Sequence, residues 1–437
     1  MATQPAGLAD WLDYQQRLHP RAIELGLDRV REVWRRLGAP APAPLVVVVG
    51  GTNGKGSTVA FLEAMLAADG RRVGAYTSPH LQRYNERVRV AGEEVDDRLL
   101  VDAFARIEAA RLATAGPADP AMAIELTYFE FGTLAALWIF AHAELDVAVL
   151  EVGLGGRLDA VNIIDADASI VTTVDLDHQD WLGNDRDSIG REKAGIFRAG
   201  RPAIVAESDP PAALLDAAQR IGADLRRAGR DYAWETAAGS MQWRWRGDGA
   251  DLVLPKPGLV APCQHANAAG AIAVLRALRT RLRWNPAAIA RGVADARVGA
   301  RLQRFDGDPE FVVDVAHNPQ AARVLGDWLG REPARGRTLA VFGALADKDV
   351  RGIVAAVAAR VDRWYPAGLD RDSPRGLDAE TLARLVGEIA GSRVAAASPD
   401  VGTALAAARA DARPGDRVLA FGSFFVAAAA LAFVAQR

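Results

Sequence analysis

The sequence predicts an α/β protein in which a P-loop, parallel-sheet N-terminal domain precedes a smaller Rossmann-like α/β domain. Short apolar runs alternate with helical patterns along most of the chain, which is typical of a parallel sheet covered by helices on both faces. One run, at residues 46–49, consists of four valines and leads into a glycine-rich loop. A length of 437 residues exceeds what one ordinary core supports. We therefore expect two domains, at residues 1–297 and 298–437.

The overall composition is that of a globular protein that acts on small molecules. Half of the residues are hydrophobic, 24% are charged, and the formal net charge is −3. This balance gives no general attraction to nucleic acid or to an anionic membrane. The single cysteine, Cys263, cannot form an internal disulfide, and the N-terminus lacks the pattern of a signal peptide. We expect a cytoplasmic protein without a nucleic-acid or membrane partner.

The elements before the glycine loop are amphipathic helices, and the proline-rich residues 38–44 end the second one. Further strands of the first domain are expected within RRVGAYTS, LDVAVLEV, DASIVTTVD and RPAIVAE. Residues 241–254 alternate in polarity and turn at residues 247–249, which predicts a hairpin. Two helices follow. The strands of the second domain are expected within FVVDVAHNP, TLAVFGALADKD, RWYPAGL, SRVAAAS and RVLAFGS.

The last uncharged stretch, residues 418–435, has 18 residues, which is the lower length limit for a membrane span. Its alanines insert weakly into a bilayer, and Gly422 and Ser423 stand where a strand would turn into a helix. We expect a closing strand–helix unit rather than a membrane span.

Residues 51–58, GTNGKGST, have the composition of a phosphate-binding loop. They depart from the strict pattern because Gly56 separates the lysine from the hydroxyl residues. Glycines let backbone N–H groups face phosphate oxygens, and the helix expected from Ser57 offers its positive end. Lys55 adds a positive charge. The loop therefore predicts a nucleotide site.

Three polar residues follow predicted strands of the first domain: Ser78, Glu151 and His178. Ligands of open parallel sheets gather at the carboxyl ends of the strands. Oxygen and nitrogen donors at that edge suit Mg²⁺ beside phosphates. Each residue taken alone is more often a solvated strand end or a structural residue than a metal ligand. Their common placement favours a metal site.

Further candidates lie at helix starts, in a helix, at a strand end and in the linker: Lys193, Asn267, Arg301, Asp314 and His317. Taken alone, Lys193 is better explained as a solvated lysine, and Asn267 and Arg301 could be a helix cap and a surface charge. Asp314 and His317 flank a turn before a helix that Pro319 opens, so a structural turn is the alternative there.

Together these stretches resemble the folylpolyglutamate synthase/dihydrofolate synthase family, ATP-dependent amide ligases related to the Mur cell-wall ligases. The resemblance covers nearly the whole chain. The family's motifs occur in its order as LHPRAIELGLDRV, GTNGKGST, TSPHLQRYNERVRV, LTYFEFGTLAALWIF, LEVGLGGRLDA, LDHQDWLG, REKAGIFR, DVAHNP and FGSF.

The resemblance implies a role for each matching position. The nucleotide-binding residues would be Thr52, Asn53, Gly54, Lys55, Gly56, Ser57, Asn267, Arg301 and Asp314. The ligands of Mg²⁺, for which a pair of ions is expected, would be Ser78, Glu151 and His178. The catalytic residues would be Lys55, a carbamylated Lys193, and His317. The acceptor-binding residues would be Glu24, Leu25, Gly26, Leu27, Thr127, Tyr128, Phe129, Glu130, Arg157, Leu158 and Asp159. No organic prosthetic group is implied.

Two positions depart from the family pattern. The family usually has glycine before the linker arginine, whereas Ala300 stands before Arg301. His265 and Ala266 precede Asn267 in place of another polar pattern.

The resemblance also implies the reaction. The γ-phosphoryl group of ATP would pass to a carboxylate of dihydropteroate or of a folate, and the amine of L-glutamate would displace phosphate from the acyl phosphate. A monomer is expected. The alternatives are a Mur-type cell-wall amino-acid ligase and a P-loop phosphotransferase. The phosphotransferase would not need a second domain with the motif DVAHNP.

Overall fold

A computed structural model describes residues 5–19, 21, 23–113, 123–237 and 239–436 of the chain. The chain divides into two compact units. The first unit comprises Met1–Gly258 and His265–Ala296, and the second comprises Leu259–Gln264 and Arg297–Arg437.

An eight-stranded sheet forms the centre of the first unit, in the order β4-β3-β2-β5-β1-β6-β7-β8. The six neighbouring strands β2, β5, β1, β6, β7 and β8 pair in parallel. Strands β3 and β4 add an antiparallel edge beside β2. Its central strands are fully buried, which explains their near-continuous runs of valine, isoleucine and alanine. The strands are β1 (Val46–Gly50), β2 (Val73–Tyr76), β3 (Val88–Val90), β4 (Glu93–Glu94), β5 (Val147–Glu151), β6 (Ala168–Val171), β7 (Pro202–Val205) and β8 (Asp224–Arg227).

Helices cover this sheet. Helix α3 packs against β1, β2 and β5, while α1, α4 and α5 pack on one another around an aromatic core that includes Trp11, Phe104 and Phe131. The helices of the unit are α1 (Leu8–Leu18), α2 (Asp28–Arg36), α3 (Lys55–Ala68), α4 (Asp97–Leu112), α5 (Tyr128–Ala141), α6 (Gln179–Leu182), α7 (Arg186–Ala194), α8 (Ala212–Ile221), α9 (Gln264–Ala277) and α10 (Pro286–Asp295).

A small antiparallel sheet follows β8 in the chain, with the order β11-β10-β9. Its strands are β9 (Tyr232–Thr236), β10 (Gln242–Gly247) and β11 (Ala250–Pro255). The predicted hairpin is confirmed, since β10 and β11 pair and Gly249 adopts a left-handed φ of 73° at the turn. Trp243 and Trp245 face inward, and the arginines between and after them are exposed.

The second unit contains a five-stranded sheet in the order β12-β13-β16-β14-β15, parallel except for β12. Its strands are β12 (Gln303–Phe305), β13 (Glu310–Val313), β14 (Thr338–Phe342), β15 (Arg363–Pro366) and β16 (Arg417–Phe421). Its helices are α11 (Pro319–Arg331), α12 (Val350–Val357), α13 (Ala379–Ala390), α14 (Val401–Asp411) and α15 (Phe424–Ala435). The predicted α/β class is therefore confirmed for both units.

One predicted strand is wrong. The segment SRVAAAS, residues 392–398, begins inside a short 3₁₀ turn and forms two isolated bridges, one from Val394 to Trp364 of β15 and one from Ser398 to Ala367, directly after β15. Pro366 lies opposite this segment and has no N–H to donate, so a continuous ladder is interrupted.

The uncharged stretch at residues 418–435 folds as β16, a turn at Gly422 and Ser423, and α15, as expected. Within the described parts of the chain, every helix is too short or too polar to cross a membrane.

Candidate active site

The glycine-rich loop joins β1 to α3 and lies against two polar side chains of the same unit. Gly51 has a φ of 145° and Gly54 a φ of 87°. A Cβ atom at Gly51 would lie 1.8 Å from Oγ1 of Thr172, and one at Gly54 would lie 2.5 Å from Oδ1 of Asn267. Both positions therefore require glycine. The contact also brings Asn267, from α9, to the loop, as its predicted role requires.

The end of β6 holds the loop through hydrogen bonds. The N–H of Asn53 donates to Oγ1 of Thr173 at 2.9 Å, and Oγ1 of Thr172 donates to the carbonyl of Asn53 at 2.6 Å. The N–H of Thr52 donates to the carbonyl of Thr173 at 2.8 Å. Sequence reasoning missed Thr172 and Thr173. They follow a strand directly, so the argument applied to Ser78 could have identified them.

Lys55 is the first residue of α3, two residues earlier than the helix start expected at Ser57. Gly54 precedes the helix and offers no side-chain cap, so the positive end of α3 is available to an anion. The Nζ of Lys55 donates to the carbonyls of Gly51 and Thr52, each at 3.1 Å. This arrangement folds the ammonium group back over the loop that would hold phosphate.

Two of the predicted metal ligands lie side by side, because β2 and β5 are neighbours in the sheet. The backbone N–H of Ser78 donates to Oε2 of Glu151 at 3.2 Å, and Glu151 is buried at the end of β5. The hydrogen bond orients the carboxylate. A serine hydroxyl and a carboxylate are hard oxygen donors that suit Mg²⁺.

His178, the third predicted ligand, precedes the short helix α6 and has a left-handed φ of 52°. Its Nε2 lies 3.9 Å from Oδ1 of Asp177. Among the described residues, no group of three or more His, Cys, Asp or Glu side chains is arranged to hold a metal ion. The predicted set contains two such residues and a serine.

Lys193 lies in α7 and is 3% exposed. Its pKa is lowered from 10.5 to about 7, first by burial and then by the positive charge of Lys55, while Asp177 and Asp159 oppose the shift. A solvated surface lysine, the alternative left open above, is therefore wrong. A lysine whose pKa is lowered by burial is able to act as a nucleophile.

Asp159 is also buried, and it interacts electrostatically with Lys55 and Lys193. Burial raises its pKa from 3.8 to about 6, while backbone hydrogen bonds and Lys55 oppose the shift. Its two oxygens accept the N–H groups of Leu154 at 2.8 Å and Val161 at 3.0 Å. A buried carboxyl group and a buried amine, each with its pKa displaced toward neutrality, are typical of a functional site.

Among the predicted acceptor residues, Thr127 and Glu130 form a capping box at the start of α5. The N–H of Thr127 donates to Oε2 of Glu130 at 2.8 Å. The other oxygen of Glu130 accepts from Arg29 at 2.8 Å, and Arg29 also donates to Oε1 of Glu24 at 2.7 Å. The structure thus joins two predicted acceptor segments, 24–27 and 127–130, through Arg29, which sequence reasoning did not select.

Phe129, in the first turn of α5, packs against Gly153, whose backbone hydrogen-bonds to Asp159 of the third predicted segment, 157–159. A Cβ atom at Gly153 would lie 2.5 Å from the ring of Phe129, and Phe129 lies 6.2 Å from the ring of Tyr76. Leu158 is half-buried and Asp159 buried, whereas Arg157 is exposed and pairs with Glu192 at 2.9 Å.

Asp314 of the second unit follows β13 and organises the chain around it. Its oxygens accept the N–H groups of Leu302 and Ala316, each at 2.8 Å. Burial of the carboxyl raises its pKa, and Arg301 opposes the shift. Ala300, which stands where the family usually has glycine, adopts a left-handed φ of 53°.

Arg301 and His317 share an aromatic neighbour. The guanidinium carbon of Arg301 lies 5.4 Å from the ring centroid of Phe424, and the His317 ring lies 6.0 Å from it. The Nδ1 of His317 is 2.9 Å from the carbonyl of Val315, which favours the tautomer with the proton on Nδ1. The structure therefore brings Arg301, Asp314 and His317 into one cluster.

Comparison with known proteins supports the family resemblance seen in the sequence, over nearly the whole chain. A family model described as "Mur ligase, glutamate ligase domain" matches residues 300–424. The dihydrofolate synthase/folylpolyglutamate synthase of Escherichia coli K12 is 47% identical over 422 residues, which cover 96% of this chain and 94% of that protein. Its counterpart in Mycobacterium tuberculosis is 34% identical, with 85% and 80% covered.

Solved structures agree. E. coli FolC in complex with DHPP and ADP has a TM-score of 0.91 at 46% identity, and the match covers 100% of both chains. A bifunctional folylpolyglutamate synthase/dihydrofolate synthase with Mn, AMPPNP and L-glutamate bound has a TM-score of 0.88 at 44% identity, again over 100% of both chains.

The fold and the phosphate loop define an ATP-dependent ligase of the Mur ligase class. The chain belongs to the dihydrofolate synthase/folylpolyglutamate synthase family, whose members are glutamate ligases. The resemblance seen in the sequence is confirmed, and it is favoured over the phosphotransferase and cell-wall ligase alternatives.

Proposed function

We propose that this chain adds L-glutamate to dihydropteroate and also to folates that already carry glutamate. The observation that carries the proposal is the phosphate loop with Lys55 beside the buried pair Lys193 and Asp159. This cluster lies in a fold shared over its full length with an enzyme solved with DHPP and ADP.

The proposed reaction has two displacements. A carboxylate oxygen of the acceptor attacks the γ-phosphorus of ATP, the bond to the β-bridging oxygen breaks, and ADP leaves. The amine of glutamate then attacks the acyl carbon and expels phosphate. A free carboxylate is a poor acyl donor because oxide would be its leaving group, and phosphorylation removes that obstacle. Backbone N–H groups of the loop and the Lys55 ammonium would stabilise charge on the transferring phosphoryl group.

A divalent cation would bind at Ser78, Glu151 and His178, with Mg²⁺ as the expected ion. The donor set fits, because the Glu151 carboxylate is buried and oriented by the N–H of Ser78. A bound cation neutralises phosphate charge. The chain's own contribution is to orient the donors and, through Asn267 beside Gly54, to shape the loop.

Lys193 would carry a carbamate. Its unprotonated amine would attack the carbon of CO₂ and release a proton, which gives a carbamate whose oxygens could approach the cation. Burial supports this proposal because it lowers the lysine pKa to about 7. Incubation with ¹³CO₂ followed by ¹³C NMR would detect the adduct, and Lys193→Ala would be the blank.

For the acceptor, the face of Phe129 would stack on the pterin ring, and the Asp159 carboxyl would hydrogen-bond to its polar edge. Segments 24–27 and 157–159 would complete the site. In the second unit, Arg301 and Asp314 would contact the nucleotide. His317, with its proton on Nδ1, would present a basic Nε2 and assist deprotonation of the glutamate amine. The monomeric state and the cytoplasmic location stay predictions from the sequence.

The test supplies the pure protein with ATP, labelled glutamate and either dihydropteroate or tetrahydrofolate. We expect incorporation of label with both acceptors, and ADP formation that requires acceptor and glutamate together. Incorporation with tetrahydrofolate alone would refute the dual activity and leave a chain-extending enzyme. Asp159→Ala should impair the dihydropteroate reaction more than the extension reaction, because the smaller acceptor depends more on contacts to its pterin end.

A further inference from the structure

We propose that Arg29 is a positioning residue that holds segment 23–27 against the first turn of α5 and so favours dihydropteroate as the acceptor. The proposal rests on the proposed function, because it concerns the acceptor site assigned above. The hydrogen bonds described for Arg29 go to Glu24 and Glu130, and not to the nucleotide loop or the strand-end donors. Arg29 is therefore a candidate for specificity rather than for phosphoryl transfer.

The guanidinium group of Arg29 bonds to two carboxylates, and these two contacts are its two arms. Its Nη1 donates to Oε1 of Glu24 at 2.7 Å, and its Nη2 donates to Oε1 of Glu130 at 2.8 Å. Nη2 also donates to the backbone carbonyl of Glu24 at 3.3 Å. Glu24 and Glu130 are far apart in sequence, and the planar guanidinium group fixes the distance between them.

One arm reaches the start of α5. The Glu130 side chain is 4% exposed, and its second oxygen accepts the N–H of Thr127 in the capping box. Charge on a buried carboxylate requires a partner, and Arg29 provides one. The arm therefore stabilises the turn from which Tyr128 and Phe129 project.

The other arm reaches a segment without regular secondary structure. Residues 23–26 are neither helix nor strand, and Glu24 is their charged anchor. His19 Nε2 lies 3.2 Å from Oε2 of Glu24, and Arg21 Nη1 lies 3.8 Å from the same atom. These two residues are neighbours of Glu24 in the chain. Among the ion pairs described for Glu24, the one with Arg29 leads on to a buried residue of another segment, Glu130.

Helix stability alone does not explain this arginine. Arg29 is the second residue of α2, near the positive end of the helix, where a cation is unfavourable. Its Nε is buried and has no hydrogen-bond partner among the residues that the structure describes. A residue placed at this cost is explained by the two carboxylates it joins.

The link to acceptor choice follows from the chemistry of the acceptors. Dihydropteroate has a pterin and an aminobenzoate, whose carboxylate is the reacting group. A folate has additional glutamate carboxylates that contribute to its binding. Weaker order in segment 23–27 should therefore reduce the affinity for dihydropteroate more than the affinity for folates.

The experiment compares four variants of the full chain with the wild type: Arg29→Met, Arg29→Lys, Glu24→Gln and Arg35→Met. Arg35 is the matched control, because it lies on the exposed face of α2 and pairs with Glu32. Initial rates are measured with dihydropteroate and with tetrahydrofolate at saturating ATP and glutamate. Thermal unfolding is measured for each variant.

We expect Arg29→Met to raise KM for dihydropteroate about 10-fold or more, with kcat for tetrahydrofolate within about 3-fold of the wild type. Arg29→Lys, which keeps the charge and loses the fork, should recover part of the affinity. Glu24→Gln should shift KM in the same direction without leaving Glu130 unpaired, so it tests the proposal even if Arg29→Met folds poorly. Arg35→Met should change neither constant.

A structural role alone would lower the active fraction and reduce kcat for both acceptors alike. That result, or an unchanged KM for dihydropteroate in folded Glu24→Gln and Arg29→Met, would overturn the Arg29 proposal while leaving the dual activity intact. A wild-type protein that does not use dihydropteroate would overturn the proposed function and the Arg29 proposal together.

Discussion

Both units contain a loop that leads from the carboxyl end of a parallel strand into a helix. The two loops differ in whether side chains of the loop accept hydrogen bonds from the backbone N–H groups at the start of the helix. In the first unit, Gly54 leaves α3 without a side-chain cap. In the second unit, Asp314 accepts two backbone N–H groups and Asn318 caps α11 through the N–H of Ala321. The first loop keeps a positive helix end for a ligand. The second loop uses its polar side chains to fix its own shape.

Two loops of similar topology can therefore differ in whether their polar side chains serve ligand binding or the stability of the fold. Removal of the Lys55 side chain, at the end of the glycine loop of the first unit, should reduce activity with little change in stability. Substitutions around Asp314 should reduce stability together with activity. The following variants test this difference, from the largest expected effect to the smallest.

Lys55→Ala should lower turnover at least about 100-fold, because charge-assisted contacts strengthen as charge develops on the phosphoryl group. The urea midpoint should stay close to that of the wild type, since the ammonium group contacts only loop carbonyls among the bonds described for it. Lys256→Ala, at an exposed lysine, is the control. A folded Lys55→Ala protein with near-full activity would remove the phosphate-loop assignment.

Lys193→Met should abolish most activity and yet raise stability at pH 7 by about 1–3 kcal/mol, because a buried amine is replaced by an apolar side chain of similar length. The folded pKa of Lys193, about 7, is below its ordinary value of 10.5. The unfolded state therefore binds more protons between these values, and wild-type stability rises with pH across that window.

Urea unfolding at pH 7, 8 and 9 in bicarbonate-free buffer measures this effect. The advantage of Lys193→Met should shrink as the pH rises. A difference that is constant with pH would show that the amine is not kept neutral by burial.

Asp314→Ala should cost about 1–3 kcal/mol of stability, because the N–H groups of Leu302 and Ala316 lose their acceptor. Activity should fall as well, since Arg301 and His317 lie in the segments that this carboxylate holds. Asn318→Ala, which removes a helix cap in the same loop, should cost about 1 kcal/mol. Lost activity with unchanged stability for Asp314→Ala would end the contrast between the two loops.

Ala300→Gly should have the smallest effect, a gain of up to about 1 kcal/mol. A left-handed alanine is strained, and the greater freedom of glycine in the unfolded chain offsets part of the relief. The backbone at this position is held by Gln303 Oε1 at 2.9 Å and by the N–H of Val315 at 3.1 Å. Thermal unfolding measures the change, and a clear loss of stability would contradict the strain argument.

Much of the fold was predictable because its signals are local. The valine strand β1, the glycine loop and the hairpin at residues 241–254 each combine a hydrophobic period with turn residues in a short window. The strand predicted at residues 392–398 is wrong because that signal was local too: the apolar pattern indicates a strand whatever lies opposite it. Whether it pairs depended on Pro366, which belongs to another part of the chain.

The sequence by itself determined the α/β class, the phosphate loop and the family, because these follow from residue types at fixed spacings along the chain. Only the tertiary structure decided which of the candidate side chains are chemically unusual. The pKa of Lys193 depends on burial and on Lys55, Asp159 and Asp177, which the fold brings near it. Arg29 and Glu130 are 101 residues apart, and no local pattern joins them. Desolvation and charge proximity are properties of packing, so they appear only once the chain is folded.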